Sequence, residues 1–139
     1  MSKLVKIIPI LFFTLSCFCG FGQAVKPGQP TFSNSVKSNG FLFVSGQIGA
    51  DLSLVPPVSF SDETESAIKK IVEILRMNKL STLNVVSCTV YLTDINNFEE
   101  FNNVYRKSFS PPFPSRTCVV VLQLVQKARI EISVIASLK

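Results

Sequence analysis

Two apolar stretches near the C-terminus constrain the fold more than any other feature of this sequence. They run over residues 118–122 and 130–135, and both are rich in the β-branched residues that favour strands. Apolar side chains fall on both sides of each predicted strand, so both faces of the sheet need cover. Helices can cover one face, and a second element or a second chain has to cover the other.

Each stretch also brings a charge into apolar surroundings. Arg116 opens the first stretch after a proline-rich loop, and Glu131 lies between two isoleucines in the second. A buried charge is costly unless it is paired or hydrogen-bonded, so these side chains require either structural partners or a function. As structural residues, Arg116 would pair with a neighbour and Glu131 with Arg129 or Lys127 at an exposed edge. As functional residues on consecutive strands, they predict a pocket for a small anion with a carboxylate that holds water.

The N-terminus has the pattern of a secretory signal peptide. Lys3 and Lys6 precede an apolar segment over residues 7–21, and small residues flank the end of that segment. The apolar segment is shorter than the roughly 20 residues that a spanning helix needs. We therefore expect cleavage near Gly22-Gln23, which makes residues 1–22 a signal peptide and the protein secreted or periplasmic.

Two alternatives remain open for this segment. It could stay in place as an N-terminal anchor, or Cys17 could be lipidated, since residues 14–17 partly match a lipoprotein cleavage box. If cleavage follows Gly22, one domain of 117 residues remains (139 − 22), spanning residues 23–139. That domain is long enough to bury a core without disulfides, and we expect no membrane association once the signal is removed.

Charge and composition narrow the chemistry. The net charge falls from +5 to +3 when Lys3 and Lys6 leave with the signal, and no long basic run remains, so we expect no nucleic-acid partner. The chain has no histidine, which excludes Ser–His–Asp and Cys–His nucleophiles and histidine-based metal sites. Cys88 and Cys118 do not have the spacing of a zinc site. We expect buried free thiols, although an oxidising compartment would permit a bridge.

The first half of the domain predicts a hairpin followed by a helix. Residues 31–38 and 41–44 are strand-like, and Asn39-Gly40 between them is typical of a type I′ turn. After a loop over 48–59, apolar residues recur at helical spacing. Asp62 and the acidic residue three positions later predict the start of this helix, and its end falls near Asn78.

The second half predicts one more helix and three more strands. The strands are expected over residues 84–92, 116–124 and 128–137, with a turn at 125–127, and the helix over 98–109 ends before Pro111-Pro112. The resulting order, β-β-α-β-α-β-β, indicates an α+β fold with two helices on one face of a sheet. Because one chain has no element left for the other face, that face predicts an oligomer.

Four segments in this order resemble the RidA/YjgF/UK114 family of reactive-intermediate deaminases. They are Ser45-Gly46-Gln47-Ile48, the run from Asp94 to Tyr105, Pro114-Ser115-Arg116-Thr117-Cys118-Val119, and Ile130-Glu131-Ile132. The resemblance implies a chorismate-mutase-like fold with a mixed sheet, assembled as a homotrimer through the uncovered face with sites between subunits. It also implies hydrolysis of small 2-imino or enamine carboxylic acids to 2-oxo acids and ammonia, with no cofactor and no metal.

The same resemblance assigns roles to particular residues. Arg116 matches the arginine that holds the carboxylate of the substrate, a task that suits its planar pair of donors. Glu131 matches the glutamate that positions the attacking water. Ser45-Gly46 matches the rim of the pocket, Asn102 a polar side chain at the cleft, and Cys118 a position whose backbone contributes to the site.

The sequence departs from the family pattern at two positions. Phe32 aligns with a tyrosine whose hydroxyl reaches into the site, and Gly49 replaces a common proline beside the pocket. Loss of one neutral hydrogen bond costs about 0.5–1.5 kcal/mol, so Phe32 is expected to weaken catalysis. The alternative function is a non-catalytic trimer that binds small carboxylates or 2-oxo acids.

Overall fold

The computed structural model describes residues 31–50 and 58–139, and the predicted signal peptide and its cleavage site lie outside them. The main elements in chain order are β1 (Ser35–Ser38), β2 (Phe41–Ile48), α1 (Phe60–Met77), β3 (Val85–Leu92), α2 (Phe98–Ser108), β4 (Ser115–Val120) and β5 (Ile130–Ser137). Short 3₁₀ turns precede β3, α2 and β5. The predicted order β-β-α-β-α-β-β is confirmed.

The strands form one mixed sheet in the order β1-β2-β5-β3-β4. Only β3 and β4 pair in parallel, and the other neighbours are antiparallel. On β5 the side chains of Ile130, Ile132, Val134 and Ala136 alternate into the core, where α1 packs against β2, β5 and α2. Both helices therefore cover the same face of the sheet, as predicted.

The opposite face of the sheet is open and partly apolar. Phe43 on β2 is 44% exposed and Val119 on β4 is 40% exposed. Large apolar side chains exposed on one face of a sheet are typical of a surface that contacts another protein. Among residues 31–50 and 58–139, no helix is long and apolar enough to cross a membrane.

Local signals at the hairpin and the first helix decide where these elements begin and end. Asn39 and Gly40 both have positive φ, 47° and 81°, as a type I′ turn requires. The start of α1 differs from the prediction, because Ser59 caps the helix instead of Asp62. The Ser59 Oγ atom accepts a hydrogen bond from the Asp62 backbone N at 3.0 Å, so a better cap three residues upstream sets the boundary.

The fourth strand is shorter than the apolar run predicted. Strand β4 ends at Val120 instead of continuing to residue 124, and Leu122 is 92% exposed. The parallel pairing with β3 also stops at Val120, opposite Leu92, the last residue of β3. The apolar residues beyond this point have no strand to pair with in the part of the chain that the structure describes.

Candidate active site

Arg116 points to the helix-covered side of the sheet, against α2. Its backbone pairs with Cys88 of β3, a buried core residue, and residues paired across a sheet project to the same face. The Arg116 Nη2 atom donates a hydrogen bond to Asn102 Oδ1 at 2.9 Å. The centre of the guanidinium lies 4.8 Å from the ring centroid of Tyr105 and 5.0 Å from that of Phe101. Aromatic rings and one amide thus fix its orientation.

The positive charge of Arg116 has no acidic partner in the described part of the chain. Asn102, which is 7% exposed, is neutral and directs its amide nitrogen to Glu99 at 3.5 Å. One ion pair is present among these residues, and it joins Glu63 and Arg129 elsewhere. A guanidinium held by a neutral amide and apolar rings keeps donors free, and a carboxylate ligand fits them best.

A cavity of about 300 Å³ opens beside this guanidinium. Its lining residues come from α2, from the segment before β4 and from β4 itself, namely Asn102, Tyr105, Arg106, Phe113, Pro114 and Arg116. The volume is at the low end of the range typical of small-ligand sites. The predicted residues Arg116 and Asn102 therefore share one cavity, which we call the arginine cavity.

Glu131 lies in a different cavity of about 530 Å³, here called the glutamate cavity. Phe32, Ser45 and Gly46 also line it, so these three predicted residues do come together with Glu131. Gly46 is required for the close contact, because a Cβ atom there would collide with the Glu131 carboxylate, lying 2.7 Å from its Cδ atom. An irregularity in the β2–β5 pairing between Val44 and Gln47 brings this glycine against the acid.

Ser45 and Phe32 form the rim of the glutamate cavity. The Ser45 Oγ atom donates a hydrogen bond to the Ser33 carbonyl at 2.6 Å, and the Ser45 backbone N donates to the Asn34 carbonyl at 3.0 Å. These bonds hold the segment that carries Phe32 over the cavity. Phe32 is 65% exposed and presents an aromatic ring without a hydroxyl.

Within one chain, Arg116 and Glu131 cannot act on the same molecule. Strand β3 lies between β4 and β5. Tyr91 of β3 pairs with Glu131 on one side and with Val119 on the other, so Glu131 and Val119 lie at the same height in the sheet. Arg116 lies three residues before Val119, which puts the two Cα atoms roughly 14 Å apart from standard strand spacings. The two side chains also project to opposite faces of the sheet. A single chain therefore does not bring the two predicted residues into one pocket, because β3 separates β4 from β5 in the sheet.

Neither of the structural partners considered for Glu131, Arg129 and Lys127, forms an ion pair with it among the described residues. Glu63, which is 2% exposed, takes both a 2.6 Å bond from Arg129 Nε and a 2.7 Å bond from the Arg129 backbone N. Arg129 also donates to the Val58 carbonyl at 2.7 Å. The expected alternative of a Glu131–Arg129 pair is therefore wrong. Among the described residues, the Glu131 carboxylate makes no ion pair.

The two cysteines lie on the helix side of β3 and β4 and are free. Burial raises the pKa of the Cys88 thiol to about 12, although the nearby charge of Arg116 opposes the shift. Burial also raises the pKa of Cys118, again against the effect of Arg116. The side chain of Cys118 packs against the core and lines neither cavity. Both thiols are therefore held in the protonated, unreactive form.

Sequence reasoning misses several cavity residues. Tyr105 belongs to the apolar stripe of α2, which predicts a core residue, but its ring also lines the arginine cavity. Its hydroxyl is buried beside Cys88 and has no hydrogen-bond partner in the described segments, and burial raises its pKa. Arg106 and Lys70, which line the two cavities, look like ordinary solvated charges in the sequence. Gln126 lines the glutamate cavity, and only the structure distinguishes it, because its φ of 54° lies in the left-handed region.

The sequence matches a known family. A family model described as Endoribonuclease L-PSP matches residues 22–138, and the chain belongs to this RidA/YjgF/L-PSP family. It is 37% identical over 111 residues to the protein MMF1, mitochondrial, of Saccharomyces cerevisiae, covering 79% of this chain and 77% of that one. It is also 37% identical over 107 residues to a human protein named 2-iminobutanoate/2-iminopropanoate deaminase, covering 76% of this chain and 78% of the human one.

Solved structures agree with the fold. The crystal structure of yeast Mmf1 superimposes with a TM-score of 0.73 at 37% identity, covering 81% of this chain and 91% of that one. The crystal structure of RidA from the Antarctic bacterium Psychrobacter gives a TM-score of 0.71 at 30% identity, covering 78% of this chain and 89% of that one. The predicted α+β architecture is thus confirmed, and relatives in the family are named as imine deaminases.

Proposed function

We propose that this protein hydrolyses small 2-imino or enamine carboxylic acids to 2-oxo acids and ammonia, without a cofactor. The observation that carries the proposal is Arg116, a guanidinium fixed by Asn102 and aromatic rings beside a cavity of about 300 Å³. Such a group binds a carboxylate with two parallel hydrogen bonds. The names of the human and bovine relatives supply the reaction class.

The proposed reaction needs one held water and one carboxylate base. Glu131 accepts a proton from water, the water oxygen bonds to the imine carbon, and the electron pair of the C=N bond moves to nitrogen, which takes a proton. The C–N bond of the resulting carbinolamine then breaks. The carboxylate of Glu131 takes the proton of the carbinolamine hydroxyl and passes it to nitrogen, so that nitrogen leaves as ammonia and a carbonyl forms at the former imine carbon. Arg116 holds the substrate carboxylate throughout, so the imine carbon stays in reach of the water.

The separation of the two cavities leads us to propose that a second copy of the chain completes the site. Arg116 of one subunit and Glu131 of the next would face each other across a subunit cleft. The open sheet face, with Phe43 and Val119 exposed, gives the copies an apolar surface to share. We propose a homotrimer, the arrangement expected from the family resemblance, with one cleft per subunit pair.

A second function, binding without turnover, has one observation in its favour. Phe32 lines the glutamate cavity and offers no hydroxyl to the reacting atoms. Loss of one neutral hydrogen bond of about 0.5–1.5 kcal/mol would slow the reaction roughly 2- to 13-fold if the bond forms in the transition state. The protein would become a pure binder of 2-oxo acids only if that hydroxyl were needed to move a proton.

An assay of purified protein separates the two functions. An amino-acid oxidase generates 2-iminobutanoate in the presence of semicarbazide, and suppression of semicarbazone formation reports deamination. We expect suppression by the wild type, its loss in Glu131→Ala with 2-oxobutanoate binding retained, and normal suppression in the control Glu65→Ala, which changes an exposed acid on α1. No suppression by stoichiometric wild type would refute the deaminase proposal for this substrate.

We also propose that the protein acts outside the cytoplasm after removal of residues 1–22. The basic, apolar and small-residue segments of the N-terminus support this proposal. The intact mass of protein recovered from an exporting bacterium tests it. Cleavage predicts a mature chain that begins at Gln23, whereas lipidation predicts one that begins at Cys17 with added acyl mass. A chain that retains Met1 would contradict export by cleavage.

A further inference from the structure

Arg106 places a second guanidinium at the arginine cavity. It lies in the last turn of α2 and lines the same space of about 300 Å³ as Arg116. The lining contains these two arginines and, among the described residues, no acidic side chain. Two cations at one small cavity concentrate positive potential there and favour an anion with more than one charge.

The ordinary explanation for Arg106 is the helix end, where positive charge is favourable. Lys107 occupies the same turn and serves that purpose equally, but it does not line the cavity. The Arg106 Nη1 atom donates to Asn103 Oδ1 at 3.1 Å, a neutral partner that leaves the charge uncompensated. In residues 31–50 and 58–139, no carboxylate lies within ion-pair distance of it. The helix end therefore accounts for a charge in this turn, but not for its position at the cavity.

We propose that the site prefers dicarboxylic 2-imino acids of four or five carbons, with Arg106 as the residue that sets this preference. The carboxylate next to the imine binds Arg116, and the carboxylate at the far end of the side chain binds Arg106. Monocarboxylic imines of similar length engage Arg116 alone. This inference rests on the proposed function, since it assigns the side chain of the same substrate.

Binding of the corresponding 2-oxo acids tests the preference without any turnover. Titration calorimetry on the full chain, at fixed ionic strength, compares 2-oxoglutarate with 2-oxobutanoate in the wild type, Arg106→Gln and Lys107→Gln. A charge-assisted contact of the expected kind gives the wild type a preference of about tenfold for 2-oxoglutarate, equivalent to about 1.4 kcal/mol. Arg106→Gln is expected to reduce the ratio to about one, and Lys107→Gln, which removes the same charge from the same turn, is expected to keep it.

Each other result overturns the inference. If the wild type binds the two acids equally, or binds neither, the site has no preference for a second carboxylate. If the preference persists in Arg106→Gln, Arg106 does not set it. If both variants lose the preference equally, it comes from the overall positive charge of this helix end and not from a specific contact with Arg106. Because the semicarbazide assay reports turnover separately, a binding preference without deamination would leave this inference standing while the proposed function fails.

Discussion

Gly46 has no room for a side chain, and alanine at this position tests how closely Glu131 is held. The new Cβ atom would overlap the Glu131 carboxylate and lie 2.7 Å from its Cδ atom, so the acid must turn away or the strands must separate. Overpacking of this kind costs about 1–3 kcal/mol of folding free energy. A shift of roughly 1 Å in a positioned group can also cost about a hundredfold in rate. We expect Gly46→Ala to fold, with kcat for 2-iminobutanoate about a hundredfold lower.

A double-mutant cycle with Glu131→Ala checks the cause. When the carboxylate is gone, the Cβ atom introduced at position 46 has space, so the stability cost of Gly46→Ala should shrink. Unfolding by urea on the four proteins measures this cost, and steady-state kinetics on the wild type and Gly46→Ala measure kcat. If Gly46→Ala keeps wild-type kcat, or if its stability cost is unchanged in the Glu131→Ala background, the reasoning about this contact is refuted.

Two further predictions concern the folded state. Glu63→Ala removes the carboxylate that pairs with Arg129, and we expect the free energy of unfolding, measured with urea, to fall by about 3 kcal/mol. Most of this loss should disappear when Arg129 is also replaced by alanine. A loss no larger than that caused by Glu65→Ala would contradict a structural role for the pair. The raised pKa of Cys88, about 12, means that the folded state keeps the proton that the unfolded state releases above pH 9. This thiol should therefore leave stability unaffected below pH 9, and the free energy of unfolding should fall between pH 9 and 12 by up to about 1.4 kcal/mol per pH unit. The fall should be shallower in Cys88→Ala. Equal slopes of stability against pH in the two proteins would contradict the raised pKa of Cys88.

The sequence predicts the elements well where short-range chemistry sets them. Asn39-Gly40 specifies its hairpin because both residues adopt positive φ easily, and the two helices follow from the spacing of their apolar residues. The sequence places the start of α1 too late, because Asp62 and Ser59 are both residue types that cap helices. The choice between them depends on which residue has the non-helical backbone conformation of an N-cap. The end of β4 depends on the length of its partner β3, which local composition does not reveal.

The sequence allows the residues of the candidate site to be identified, but not their positions relative to one another. Arg116 and Glu131 are recognisable because charges in apolar strands need a reason. Their relation depends on β3 entering the sheet between β4 and β5, a long-range pairing with no local signal. Arg106 cannot be distinguished from Lys107 in the sequence, because both are basic residues at a helix end, and only the fold puts one of them beside the cavity.

The central claim is that one chain supplies Arg116 and another supplies Glu131 to each site. Mixing two inactive variants, Arg116→Ala and Glu131→Ala, under conditions that exchange subunits tests it directly. If the site lies between chains, about one cleft in three of every mixed trimer receives both intact residues. Deaminase activity should then recover to about a third of the wild-type value, in the fraction that carries both differently tagged variants. Mixed assemblies that remain inactive, although wild type treated in the same way is active, would contradict the claim.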